Sequence, residues 1–201
     1  MRDFSAEEIE GFKKQIETEL MATGRVGIEK LLHYMEDSGF YKAPCSTQYH
    51  LACEGGLAKH SLNVLETARK LNETLFDDKI FDDCIVIAAL LHDLGKMGDY
   101  EKPMYVENYL KSGKRSETKP YETNSQLWYV PHEIRSVAIA ERFIELQECE
   151  EYAILYHNGM YGDLKYAYNG KERPLDMIIH WADMFASRVI EVEEEVSENG
   201  G

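Results

Sequence analysis

No stretch of this sequence stays apolar for the roughly 20 residues that a bilayer span needs. The opening residues, Met1-Arg2-Asp3-Phe4-Ser5-Ala6-Glu7-Glu8, lack the apolar run of a secretory leader. Both absences lead to the expectation of a cytoplasmic protein with no membrane partner. Positive charge is scarce: 22 Lys and Arg stand against 37 Asp and Glu, a formal charge of −15. Long nucleic acid is held by clustered cations that neutralise phosphates, so such a partner is not expected and any anionic ligand has to be met locally. The four cysteines, Cys45, Cys53, Cys84 and Cys149, form no CxxC pair. A chain of 201 residues, 44% of them hydrophobic, can bury a core without disulfide staples, so all four are read as reduced and structural. Internal repeats and an interdomain linker are also missing, and one compact unit is expected.

What is present is helical periodicity. Phe4, Ile9, Phe12, Ile16 and Leu20 recur at helical spacing behind Ser5, an N-cap with Glu8 three residues on, which predicts a capped surface helix to about Ala22. A second stripe, Ile28, Leu31, Leu32 and Met35, predicts a helix from Val26 to Asp37 that stops at Ser38-Gly39. The third, from Leu57 to Leu75, places His60 on or beside its buried face. Between Ile80 and Leu94, the run Ile85-Val86-Ile87-Ala88-Ala89-Leu90-Leu91 has no strand-like alternation and reads as a central buried helix. From Met97 to Pro131 the period disappears, and Ser112-Gly113 suggests a hairpin or ordered flap. Two helices are expected at about His132–Leu146 and Glu148–His157, and a last one from Pro174 to about Glu195.

A helix as apolar as Ile85 to Leu91 should not end in His92-Asp93 unless something offsets the desolvation of an imidazole and a carboxylate, which costs several kcal/mol when unpaired. A divalent cation does this, and imidazole with carboxylate suits Mn, Fe, Co, Ni, Zn or Mg, imidazole favouring the transition metals.

The ordered segments Gly55-Gly56-Leu57-Ala58-Lys59-His60, Leu91-His92-Asp93-Leu94-Gly95-Lys96 and Ala182-Asp183 resemble the H…HD…D signature of the HD-domain superfamily of metal-dependent phosphohydrolases. The fuller pattern H…GGL..H…HD.GK…H…H…D is similar to a branch that includes the HD domain of bacterial 3′-5′ exoribonucleases, with His50, His132 and His157 as the further histidines. The likeness runs from about Tyr41 to Ile190. It implies an all-α, HD-type helical bundle with a small irregular or β-hairpin insertion near the active site. Residues 1–40 would be N-terminal helices packed on the core, 41–195 the HD domain, and 196–201 a disordered acidic tail.

By the same resemblance, His60, His92, Asp93 and Asp183 are ligands of a first metal, and Asp93 bridges to a second completed by His132 and His157. Pro131 and Glu133 stand where relatives carry glycines around the equivalent histidine, so the second ion is the less supported of the two. The implied activity is hydrolysis of a phosphate ester, of a nucleotide or short oligonucleotide, by a metal-activated hydroxide. Asp93 and Lys96 would be catalytic, the Lys96 ammonium meeting charge that develops on phosphate oxygens. Lysine at a helix C-terminus also has an ordinary reason to be there, the helix dipole. His50, Lys96 and Arg115 are the expected substrate contacts, Arg115 as part of a basic and aromatic flap over 96–119 that suits a small nucleotide-like guest.

Other residues receive structural readings. His180, one turn before Asp183 on the same helix face, is read as a core histidine in preference to a partner behind the metal ligands, and His33 has no constellation around it. Glu133 is read as a solvated first-turn acid in preference to a base or orienting group behind the site, and Glu191-Val192-Glu193-Glu194-Glu195 as an exposed helix end. Two further functions use the same residues: an HD-fold di-iron oxygenase, and a non-catalytic metal- or nucleotide-binding regulatory module. Monoester against diester, the number of ions and the oligomeric state stay open.

Overall fold

The computed structural model describes residues 3–77 and 79–192. The apolar stripes become helices where they were expected. In α1 (Ala6–Ala22), the Ser5 side chain accepts the Glu8 N–H at 3.2 Å and Glu8 accepts the Ser5 N–H at 2.8 Å, the reciprocal cap that stops the first turn fraying. In α2 (Ile28–Asp37), Ile28, Leu31, Leu32 and Met35 are buried, and the chain leaves through Gly39 in a left-handed conformation. The remaining helices are α3 (Gly56–Phe76), α4 (Asp82–Leu91), α5 (His132–Ala140), α6 (Glu148–Tyr156), the single-turn α7 (Lys165–Tyr168) and α8 (Pro174–Phe185).

Helix α4 is the centre of the packing, in contact with α1, α3, α6 and α8. Every residue from Cys84 to Leu91 is buried. Burial of each large aliphatic side chain there contributes about 1.5–3 kcal/mol, which holds the helix in the middle of the bundle. Among the described residues no helix is long and apolar enough to cross a membrane, and none of the four cysteines is in a disulfide.

The central helix stops at Leu91 rather than Leu94, because Asp93 leaves helical dihedrals (φ −103°, ψ 12°) and a 3-10 turn, Leu94–Met97, follows. That turn packs against α5 through Gly95, where a Cβ would lie 2.3 Å from the His132 carbonyl oxygen. The Gly95 N–H donates to Ser136 Oγ at 2.8 Å, and that hydroxyl donates to the His132 carbonyl at 2.9 Å. Absence of a side chain at position 95 therefore lets the first turn of α5 reach the end of α4.

Helix α5 is shorter than expected. Beyond Ala140 the chain turns so that Arg142 can pair with Asp99 at 2.8 Å and the Phe143 ring can pack on Tyr34, contacts that a straight helix to Leu146 would forgo. After Phe185 the last helix widens into a π-helical turn, Ala186–Ile190, which periodicity did not anticipate. The 3-10 turn Gly159–Tyr161 and α7 were not anticipated either.

The flap is an antiparallel hairpin: β1 (Tyr105–Glu107) pairs with β2 (Tyr121–Thr123), with Val106 opposite Glu122. A further bridge joins Tyr109 to Arg115 around a turn containing Gly113 at φ +81°. The tail expected over 196–201 lies outside the described residues.

Replacement of Gly95 by Ala should lower stability by about 1–3 kcal/mol, the usual cost of forcing a methyl into a filled site. Gly11→Ala, on α1 with nothing near the added Cβ, should instead raise it by roughly 0.5–1 kcal/mol. Urea midpoints of the two variants test the difference, and an unperturbed Gly95→Ala would show that α5 is not held by this contact.

Candidate metal centre

Five elements deliver side chains to the end of α4. His60 comes from the second turn of α3, His92 and Asp93 from the end of α4, His132 from the first residue of α5, His157 from the end of α6, and Asp183 from α8. His60, His92, Asp93 and His157 are buried, while Asp183 and His132 keep about a fifth of their side-chain surface exposed (20% and 21%). The cluster is thus sealed on the core side and open on one other.

His60 Nε2 lies 3.1 Å from Asp183 Oδ1, 3.3 Å from His92 Nε2 and 3.5 Å from Asp93 Oδ2, and His92 Nε2 lies 3.3 Å from that same Oδ2. Two imidazole nitrogens facing each other at such a distance have nothing to share but a cation or a proton. Donors that bind one ion at about 2.0–2.2 Å stand about 3.0–3.5 Å from one another, so the spacing is that of a ligand shell. On the far side of the carboxylate, Asp93 Oδ1 is 3.1 Å from His132 Nε2 and 3.5 Å from His157 Nε2, which are 3.2 Å apart. Oδ1 is buried and accepts no hydrogen bond. A buried carboxylate oxygen without a donor is costly, and an ion is what these neighbours fit. The two triads, His60-His92-Asp93 and Asp93-His132-His157, meet at Asp93.

The imidazoles are held from behind. His92 Nδ1 bonds to the Ala89 carbonyl and His157 Nδ1 to the Ile154 carbonyl, both at 2.7 Å, which makes each Nδ1 the protonated nitrogen and leaves Nε2 with a lone pair. His132 Nδ1 faces Glu133 at 3.2 Å.

Electrostatics agree with a cation site. Burial works against the ionised Asp93, but Lys96, 2.6 Å away, and His92 beside it outweigh that and hold the carboxyl well below its usual range. Burial lowers the His92 imidazole, the neutral state a ligand needs. Burial disfavours charge at His60 and His157 too, yet both are raised, His60 by Cys45, Glu191 and Asp183, His157 by Asp93 and Asp183. The surroundings therefore call for positive charge.

A cleft of about 860 Å³ opens beside the cluster, with Tyr49, His50, Lys96, Asp183 and Arg188 among its lining residues. His180 is not a core residue: it is half-buried, lines this cleft, and donates from Nδ1 to the His157 carbonyl at 2.7 Å. His50 reaches the cleft edge but turns Nδ1 to Glu191 at 2.5 Å. Arg115 is not brought to the cleft; on the hairpin it pairs with Glu107 at 3.5 Å and lies over the Tyr121 ring. His33 stays on the exposed face of α2 beside Asp37.

Two acids differ from the sequence reading. Glu133 is buried, not solvated, because the approach permitted by Gly95 folds the first turn of α5 onto the site. Glu191 is fully buried, not an exposed helix end, and bonds His50, His60 and Asn63; residues 193–195 of that acidic run lie outside the described residues. Local composition carried no signal for either. Cys45 also stands closer to the site than a purely structural residue, with its sulfur grouped with the ligand atoms of His50 and His60.

Because His60 and His157 hold protons more tightly than an ordinary imidazole, protons compete with the metal. Raised values mean that the protonated forms persist to higher pH, so Mn²⁺ affinity should climb as pH rises from 6 to 8. Calorimetric titration at several pH values checks this, and affinity independent of pH would contradict it.

No curated protein and no solved structure is significantly similar to the chain. A protein-family model described as HD domain matches residues 57–188, from the start of α3 into the π-helical turn, and so spans His60, His92, Asp93 and Asp183. The chain thus belongs to the HD-domain superfamily, whose members are in general metal-dependent phosphohydrolases.

Proposed function

We propose that the protein hydrolyses a phosphate ester of a small nucleotide-like substrate, with His60, His92, Asp93 and Asp183 holding one divalent cation and Asp93, His132 and His157 a second. The observation that supports it most is the two-sided use of Asp93, each carboxylate oxygen facing its own pair of imidazoles. Cations held there supply Lewis acidity and a lowered water pKa, the chemistry that phosphoryl hydrolysis needs.

The chain's own residues prepare the remainder. Neutral His92 keeps its Nε2 lone pair because Nδ1 is committed to the Ala89 carbonyl. Lys96, raised well above its ordinary value by Asp93 after burial has worked the other way, stays an ammonium and borders the cleft. There it meets the negative charge that grows on the phosphoryl oxygens. Arg188 lies on the same wall and can steer the anion, which answers the need for local cations in an acidic chain. Tyr49 and Tyr161, both largely exposed at the cleft, offer ring faces for a base.

With Mn²⁺ added, the protein should release nitrophenol from p-nitrophenyl phosphate or its bis-ester, and Asp93→Ala or His92→Ala should abolish that release. Lys96→Ala should keep the metal and lower kcat about 10²–10³-fold, the loss typical of one positioned donor. Oxygen consumption with no phosphate or phenol release across a nucleotide panel would replace this reading with the oxygenase one.

A further inference from the structure

Glu191 has no place among the ligands, yet it is as buried as any of them. Its Oε1 accepts from His60 Nδ1 at 2.8 Å and from the Asn63 amide at 3.2 Å, while Oε2 accepts from His50 Nδ1 at 2.5 Å. Among the facing imidazoles His92 and His157 are held by carbonyls of their own helices, three residues back. His60 is held instead by a charged group 131 residues away. A carboxylate behind a ligating imidazole fixes the tautomer and raises the basicity of the nitrogen that faces the metal.

The π-helical turn accounts for how the carboxylate arrives there. Asp183 and Glu191 are eight residues apart on one continuous helix, with Ala186–Ile190 between them. At about 100° per residue, eight α-helical residues would leave the two side chains about 80° apart. A π bulge takes up one extra residue, so the step is equivalent to seven, and seven residues return to within about 20° of the starting face. Both acids then point at the same ring: Asp183 Oδ1 stands 3.1 Å from His60 Nε2, and Glu191 Oε1 stands 2.8 Å from His60 Nδ1. One helix takes hold of both nitrogens of one histidine.

We infer that Glu191, delivered by this π turn, is a positioning residue of the metal centre: it holds His60 as the Nδ1–H tautomer and aims its Nε2 at the ion. The inference rests on the reading that His60 binds a metal. Glutamine has one acceptor where glutamate has two, and its amide would oppose one of the two Nδ1–H groups, so Glu191→Gln removes the device with little change of volume.

Calorimetric titration of metal-stripped wild type and Glu191→Gln with MnCl₂ tests it, together with long-range ¹H–¹⁵N spectra of wild type loaded with Zn²⁺. Affinity for Mn²⁺ should fall about 10–100-fold in the variant, and in wild type His60 should carry its proton on Nδ1. A merely structural Glu191 would lower the melting temperature and leave the affinity of the folded variant unchanged, which overturns the inference. Should the variant not fold, the wild-type spectrum still decides, since a His60 protonated on Nε2 or stripped at Nδ1 contradicts it. Failure of wild type to take up Mn²⁺ removes the metal reading itself and this inference with it, whereas uptake by wild type with equal uptake by a folded Glu191→Gln removes the inference alone.

Discussion

Asp93 places a full negative charge at the end of a helix buried from Cys84 to Leu91. An uncompensated carboxylate in such a place would cost several kcal/mol, and much of the polar interior of the molecule is arranged around that demand. Lys96 meets one oxygen directly, and the imidazoles of His60, His92, His132 and His157 stand round both. These groups come from four different helices and the turn after α4, so the charge also fixes how the helices meet. The groups on each side are of the kind that can hold a divalent cation, which would complete the neutralisation that one lysine begins.

The supports behind the imidazoles show how the fold keeps the arrangement rigid. Two imidazoles use carbonyls of their own helices, which costs no long-range organisation. His132 and His60 depend on tertiary structure. His132 reaches Asp93 because Gly95 has no side chain between α5 and the turn after α4. His60 is held between Asp183 and Glu191, two acids brought onto one face by a π-helical turn. The open side of the cluster faces a cleft edged by Lys96 and Arg188, where an otherwise acidic chain offers positive charge to an anion.

Much of this was legible in the residues alone, for identifiable reasons. An apolar run that ends in an imidazole and a carboxylate conflicts with burial unless the pair has a partner, so His92-Asp93 announced a site without any fold. His60 and Asp183 gave no local signal and entered only through the ordered pattern that they share with a family. Glu191 was hidden twice: it begins a run of acids that composition assigns to solvent, and its true face depends on a π turn that a 3.6-residue period does not describe. Glu133 was misread for a related reason, since its burial follows from the close approach at Gly95 and not from its own helix. Arg115 was drawn toward the site by sequence proximity to basic and aromatic neighbours, but the register of the hairpin turns it onto Glu107 and Tyr121.

Anomalous diffraction from crystals grown with saturating Mn²⁺ would locate an ion directly relative to Asp93. A peak is expected about 2.0–2.2 Å from His60 Nε2, His92 Nε2, Asp93 and Asp183. An ordered His92-Asp93 pair with no anomalous density beside it would show that these residues do not form a metal centre.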